Sequence, residues 1–149
     1  MNESHIHSAF DRDLEAVQAM IMKMGGMVEG AIGDAARALE TRDDELADQV
    51  RRADKAIDAL EEQVNAECAR LIALWSPIAG DLRTVLTVIK IAGSLERCGD
   101  FAKNLAKRSS VLSQLAQIPG ASLAIRRMAR TVELQLKDAL DAYIQRDER

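Results

Sequence analysis

Apolar residues recur along this chain in steps of three and four. In the first segment Leu14, Val17, Ile21, Met24, Val28, Ile32, Ala35 and Leu39 fall on one stripe, which predicts an amphipathic helix over about 10–40. Thr41-Arg42-Asp43-Asp44 is a short turn whose acidic residues suit the start of a second helix. That helix, over about 43–74, carries the stripe Leu46, Val50, Ala53, Ile57, Leu60, Val64, Cys68 and Leu71. At ~1.5 Å per residue it would be roughly 45–50 Å long. Ser76-Pro77 breaks it, with Ser76 suited to cap a third helix and Pro77 to its first turn. The third helix runs to about Arg108 along Leu82, Val85, Ile89, Ala92, Leu95, Gly99, Ala102 and Leu105. Ile118-Pro119-Gly120 is the next turn, and a last helix spans about Ser122 to Gln145. The pattern predicts an all-α fold, with sequential helices packed antiparallel.

The last helix repeats the first. Laid over Met128–Asp147 at an offset of 104, Met24–Asp43 shows eight identities in twenty positions without a gap. One repeating unit is then an antiparallel three-helix bundle of about 104 residues, and the chain carries only the first helix of a second unit. The resulting division is a first bundle over 1–110, a linker over 111–121, and the first helix of an incomplete second bundle over 122–149. The apolar face of that helix, Met128, Val132, Leu136, Ala139 and Tyr143, is expected to dock on the first bundle or on another chain.

Composition narrows the function classes. The chain has 149 residues, 48% apolar and 3% aromatic, with a net charge of −4. It is long enough for a core, and its charge argues against nucleic acid, which wants a basic stripe. No run approaches about 18 apolar residues, so no membrane span is expected. The first residues lack the basic start and apolar stretch of a signal peptide. Cys68 and Cys98, in helical surroundings, read as reduced thiols of a cytoplasmic protein.

The candidate chemistry lies in two acidic pairs. Asp54 and Asp58 are four apart on the second helix, Glu96 and Asp100 four apart on the third. Each pair shares a helix face and follows a stripe residue, which places it on the shoulder of the apolar stripe. Antiparallel packing would make a groove floored by four carboxylates, whose mutual repulsion calls for a cation. Oxygen-only ligands suit Mg²⁺, Ca²⁺, Mn²⁺ or iron. Solvated or Arg- and Lys-paired carboxylates are the plainer alternative. Other features read as structure. Gly25, Gly26, Gly30 and Gly33 suit close helix packing and lack the Gly-Lys-Ser/Thr of a phosphate loop. Met20, Met22, Met24 and Met27 suit core filling, and the cysteines suit core positions. His5 and His7 near the N-terminus read as solvated. No nucleophile–base pair has a natural context.

Three strings carry a resemblance. Asp54-Lys-Ala-Ile57-Asp58-Ala-Leu60-Glu61, Ser76-Pro77-Ile-Ala-Gly-Asp81-Leu82-Arg83 and Leu95-Glu96-Arg97-Cys98-Gly99-Asp100-Phe-Ala-Lys103-Asn104 resemble the PhoU family of bacterial phosphate-signalling proteins. The resemblance covers about 10–106 and resumes over 128–147. It implies two tandem three-helix bundles, here truncated after the first. It implies a non-catalytic adaptor that couples a high-affinity phosphate ABC transporter, through its ATPase, to a sensor histidine kinase and represses the phosphate-starvation response. It implies metal bound at Asp54, Asp58, Glu96 and Asp100, as divalent or trivalent ions such as iron, manganese, zinc or magnesium, with Asn104 a weaker candidate. The truncation points to a homodimer, in one form helix-swapped, and the partners to a cytoplasmic location beside the inner face of the membrane. The alternative is a helical dimerisation or scaffold domain without a metal role. Cys98 departs from the family's usual aliphatic residue. Asp81 reads as a helix-dipole partner and Arg83 as a bridge to a neighbouring helix, with partner docking the alternative for both.

Overall fold

The structure, a computed structural model, describes residues 3–146, and side chains from residue 9 onward. His5 and His7, expected to be solvated, have side chains outside the described residues. Four helices follow one another: α1 (Glu3–Thr41), α2 (Asp44–Trp75), α3 (Ala79–Leu112) and α4 (Ala121–Gln145). All regular structure among the described residues is helical, as the stripes predict.

Each boundary has a local cause. Asp43 caps α2 by accepting a 2.9 Å hydrogen bond from the Leu46 amide, and Asp44 and Glu45 place negative charge in its first turn. Ser76 ends α2 rather than starting α3. It adopts the left-handed conformation (φ 45°, ψ 54°) and donates its amide to the Ile72 carbonyl. The residue before a proline is disfavoured in helix, so the last turn closes on Ser76. The N-cap of α3 is Ile78, without a side-chain cap, and Asp81 supplies the acidic first turn. Eight residues then link α3 to α4, and Arg42 holds them. Its guanidinium donates to the Ser113 carbonyl at 2.9 Å and the Leu115 carbonyl at 2.6 Å.

Helix α1 is central, in contact with α2, α3 and α4. Its stripe is buried as predicted, with Val17, Ile21, Met24, Val28 and Ala35 at 0–2% exposure. These meet Ile57, Val64, Cys68 and Leu71 of α2 and Val85, Val88, Ala92 and Leu95 of α3 in the main core. A second cluster of small residues, Ala35, Ala38, Ala47, Val50, Ala102 and Ala106, closes the other end. Met20, Met22 and Met27 pack partly buried against the core around Met24. Cys68 and Cys98 are free thiols.

The stripes themselves also depart from expectation on α2 and α4. Ala53 is exposed and Asp54 is buried. The stripe steps from Val50 by four and then three to Ile57, so Asp54 occupies a core position rather than a shoulder. On α4 the expected face docks only toward its C-terminal end, where Leu136 and Tyr143 pack against the core. Ala129 and Leu140 are buried, whereas Met128 and Val132 are exposed.

Helix α4 runs antiparallel along α1. Tyr143 lies near Gln18, Leu140 against Gly25, Glu133 against Gly33 and Arg126 against Glu40. Gly25 and Gly33 are the close approaches: a methyl group at either would overlap the α4 side chain above it. Gly26 and Gly30, expected to serve the same packing, face open space.

Candidate metal centre

The two acidic pairs lie where the two core clusters meet. Asp54 stands between Val50 and Ile57 on α2, and Gly99 between Leu95 and Ala102 on α3. With no side chain at Gly99, the Asp54 carboxylate fits against α3. A methyl group there would lie 3.5 Å from Asp54 Oδ1 and 3.3 Å from Ile57 Cδ1. Asp54 is only 4% exposed.

A buried carboxylate needs a partner, and Lys103 provides it. Lys103 Nζ donates to Asp54 Oδ2 at 2.6 Å and to Asp100 Oδ1 at 2.6 Å. These are short, charge-assisted bonds. They pull the Asp100 carboxyl below the usual Asp range and raise the Lys103 ammonium above the usual Lys range. Asp58 and Glu96 shift the other way. Burial first, then the charge of Asp54, raises Asp58. Burial first, then the charges of Asp100 and Glu61, raises Glu96. Asp54, Asp58, Glu96 and Asp100 therefore form one coupled acidic cluster, with Glu61 and Glu62 at its edge.

The donor chemistry of this cluster fits a hard cation. It is all oxygen, and Asp54 Oδ1 and Asp58 Oδ1 are buried without a hydrogen-bond partner. Its present packing, however, gives the cation position to Lys103. Among the described residues no three His, Cys, Asp or Glu side chains converge closely enough to hold a metal ion. Asn104 is exposed and outside the cluster. Asp81 and Arg83 are exposed, and among the described residues Arg83 makes no ion pair that would bridge to another helix.

Sequence reasoning missed Lys103 as the central cation. The signal was its spacing, three residues beyond Asp100 and four beyond Gly99, on the face that meets Asp54. It also missed a basic strip next to the cluster. Arg51, Arg52, Lys55, Lys103 and Lys107 line one groove between α2 and α3, with Asp48 paired to Arg51 at 2.9 Å.

A bundle of four sequential helices with acidic pairs on the second and third defines an all-helical class of protein, and the sequence narrows it. The PhoU domain matches residues 21–109, so the chain belongs to the PhoU family. A phosphate-specific transport system accessory protein PhoU homolog of Caulobacter vibrioides is 38% identical over 143 residues, covering 96% of this chain and 62% of the relative. The homolog of the same description from Zymomonas mobilis is 42% identical over 144 residues, covering 96% and 60%. The crystal structure of PhoU from Pseudomonas aeruginosa superposes with a TM-score of 0.88 at 36% identity, covering 93% of this chain and 66% of that one. The chain thus spans about 60% of the length of the curated relatives it matches. No helix among the described residues is long and apolar enough to cross a membrane.

Proposed function

We propose that this chain is a non-catalytic, metal-binding adaptor of a phosphate-specific transport system. It couples the ATPase of a high-affinity phosphate ABC transporter to a sensor histidine kinase and represses the phosphate-starvation response from the cytoplasmic side. The observation that carries this reading is the match of nearly the whole chain to relatives described as phosphate-specific transport system accessory proteins. Burial pushes the Cys68 thiol up to about 11, which leaves it protonated and unreactive at neutral pH. Asp54, Asp58, Glu96 and Asp100 would hold the metal, which would supply two positive charges where Lys103 supplies one.

A second reading, a helical scaffold without metal, draws on the ammonium of Lys103 between Asp54 and Asp100. Interferometry with the immobilised chain separates the two. The purified transporter ATPase and the cytoplasmic part of the kinase are passed over it with Mn²⁺ or with chelator. The adaptor reading expects saturable binding of at least one of them, strengthened by metal. Binding of neither contradicts it, and metal-independent binding selects the scaffold.

A further inference from the structure

The acidic cluster has more acceptors than its own lysine can serve. An ammonium has three N–H donors, and Lys103 directs two of them to Asp54 Oδ2 and Asp100 Oδ1. Asp54, 4% exposed, keeps Oδ1 without a partner, as does Asp58. A divalent ion brings twice the charge and about six or more coordination positions, which these oxygens could fill. An ion seated between Asp54 and Asp100 would need the same two oxygens that Nζ holds, and two cations a few ångströms apart repel. Metal and ammonium therefore exclude one another. Lys103 is free to leave: its side chain is 24% exposed and ends a flexible four-carbon stem. Lys103 shares a groove with Arg51, Arg52, Lys55 and Lys107, whose like charge favours its place at the acidic end.

We infer that Lys103 is a tethered competitor for the metal position: a metal ion binds by displacing its ammonium from Asp54 and Asp100, and that exchange sets the affinity. No covalent bond changes; a one-plus charge leaves the groove as a two-plus charge enters. The inference rests on the metal reading above. It gives the chain a site closed by its own side chain at low metal and opened by ions that outcompete an ammonium.

The test titrates Mn²⁺ alone into the purified chain, the Lys103→Met variant and the Asp54→Asn, Asp58→Asn, Glu96→Gln, Asp100→Asn variant. Free Mn²⁺ is read from its electron paramagnetic resonance signal. The expected result is binding by the parent, at least tenfold tighter binding by Lys103→Met, and loss in the carboxylate variant. Equal affinity in parent and Lys103→Met, both dependent on the carboxylates, overturns the competitor role and leaves the metal reading standing. No binding by either overturns both. Lys103→Met leaves Asp54 buried without its partner and can fail to fold, so the unmodified chain supplies a second readout. Acetic anhydride labelling, resolved by mass spectrometry, should be slower at Lys103 than at Lys55 and rise several-fold at Lys103 over the Mn²⁺ range in which the ion binds. Labelling that stays constant or falls as Mn²⁺ binds overturns the inference.

Discussion

Gly99 and Asp54 face one another across the helix interface, where the bare backbone at Gly99 leaves room for the Asp54 carboxylate and the Ile57 side chain. A Gly99→Leu change would fill that space and collide with Asp54 and Ile57. It is expected to cost on the order of 2–3 kcal/mol through overpacking, read as a lower urea midpoint at unchanged slope. Lys103→Met, without metal, is expected to cost about 2 kcal/mol. That is below the value for a fully buried broken pair because Lys103 is part-exposed. Another polar contact has an optical reporter. Trp75, the single tryptophan, donates Nε1 to Asp13 Oδ2 at 3.1 Å, and Arg70 adds its guanidinium at 3.2 Å. The hydrogen bond from Trp75, and then the charge of Arg70, hold the Asp13 carboxyl below its ordinary 3.8. A depressed carboxylate stabilises fully above its unfolded value and loses that contribution as pH falls through its folded value. Tryptophan emission should therefore be flat above pH 3.8 and change below it, with Asp13→Ala removing the step. At this scale the sequence was half legible. Asp58, Glu96 and Asp100 stood out by spacing. The burial of Asp54 did not, because Ala53 satisfies the same stripe and only the facing Gly99 decides between them.

Helices and their ends were the most legible part, since a stripe in steps of three and four needs only the chain itself. Leu14 to Leu39, and Ile57 to Leu71, lie on the faces the pattern assigns. The miss at Ser76 shows what local reading lacks. A serine before proline suits either a cap or a terminus, and here closure onto the Ile72 carbonyl takes precedence. Asp43 is the unambiguous cap. Asp43→Ala should cost about 1 kcal/mol by leaving the Leu46 amide without its acceptor, seen as a lower thermal midpoint. Docking of α4 depends on Gly25 and Gly33. Gly25→Leu would strike Leu140 and should loosen α4 alone. Hydrogen exchange is expected to lose protection across 121–145 while the cores of α2 and α3 keep theirs. Uniform loss in all four helices would contradict that independence.

The whole molecule is organised by the repeat. An offset of 104 residues exchanges Gly25 with Ala129 and Ala36 with Leu140. Gly25 meets Leu140, and Ala36 and Ala129 line one groove. The antiparallel α1–α4 pair is therefore close to two-fold symmetric. The symmetry breaks on the outer face. Met24 and Val28 are fully buried, whereas their counterparts Met128 and Val132 are 66% and 44% exposed. Met128 and Val132 match positions that α1 turns to α2 and α3, so docking on α1 leaves them exposed while Leu136 and Tyr143 pack against the core beside Leu140. Periodicity alone does not separate the two ends of one apolar stripe. On the proposed function, the groove between α2 and α3 holds the metal of a phosphate-signalling adaptor. Elemental analysis reads that occupancy. The chain and its Asp54→Asn, Asp58→Asn, Glu96→Gln, Asp100→Asn variant are incubated with iron, manganese, zinc or magnesium salts and desalted. Metal retained by the chain and lost by the variant, with both folded, is the expected result. Equal, near-zero metal in both would contradict it and leave Lys103 as the cation of the groove.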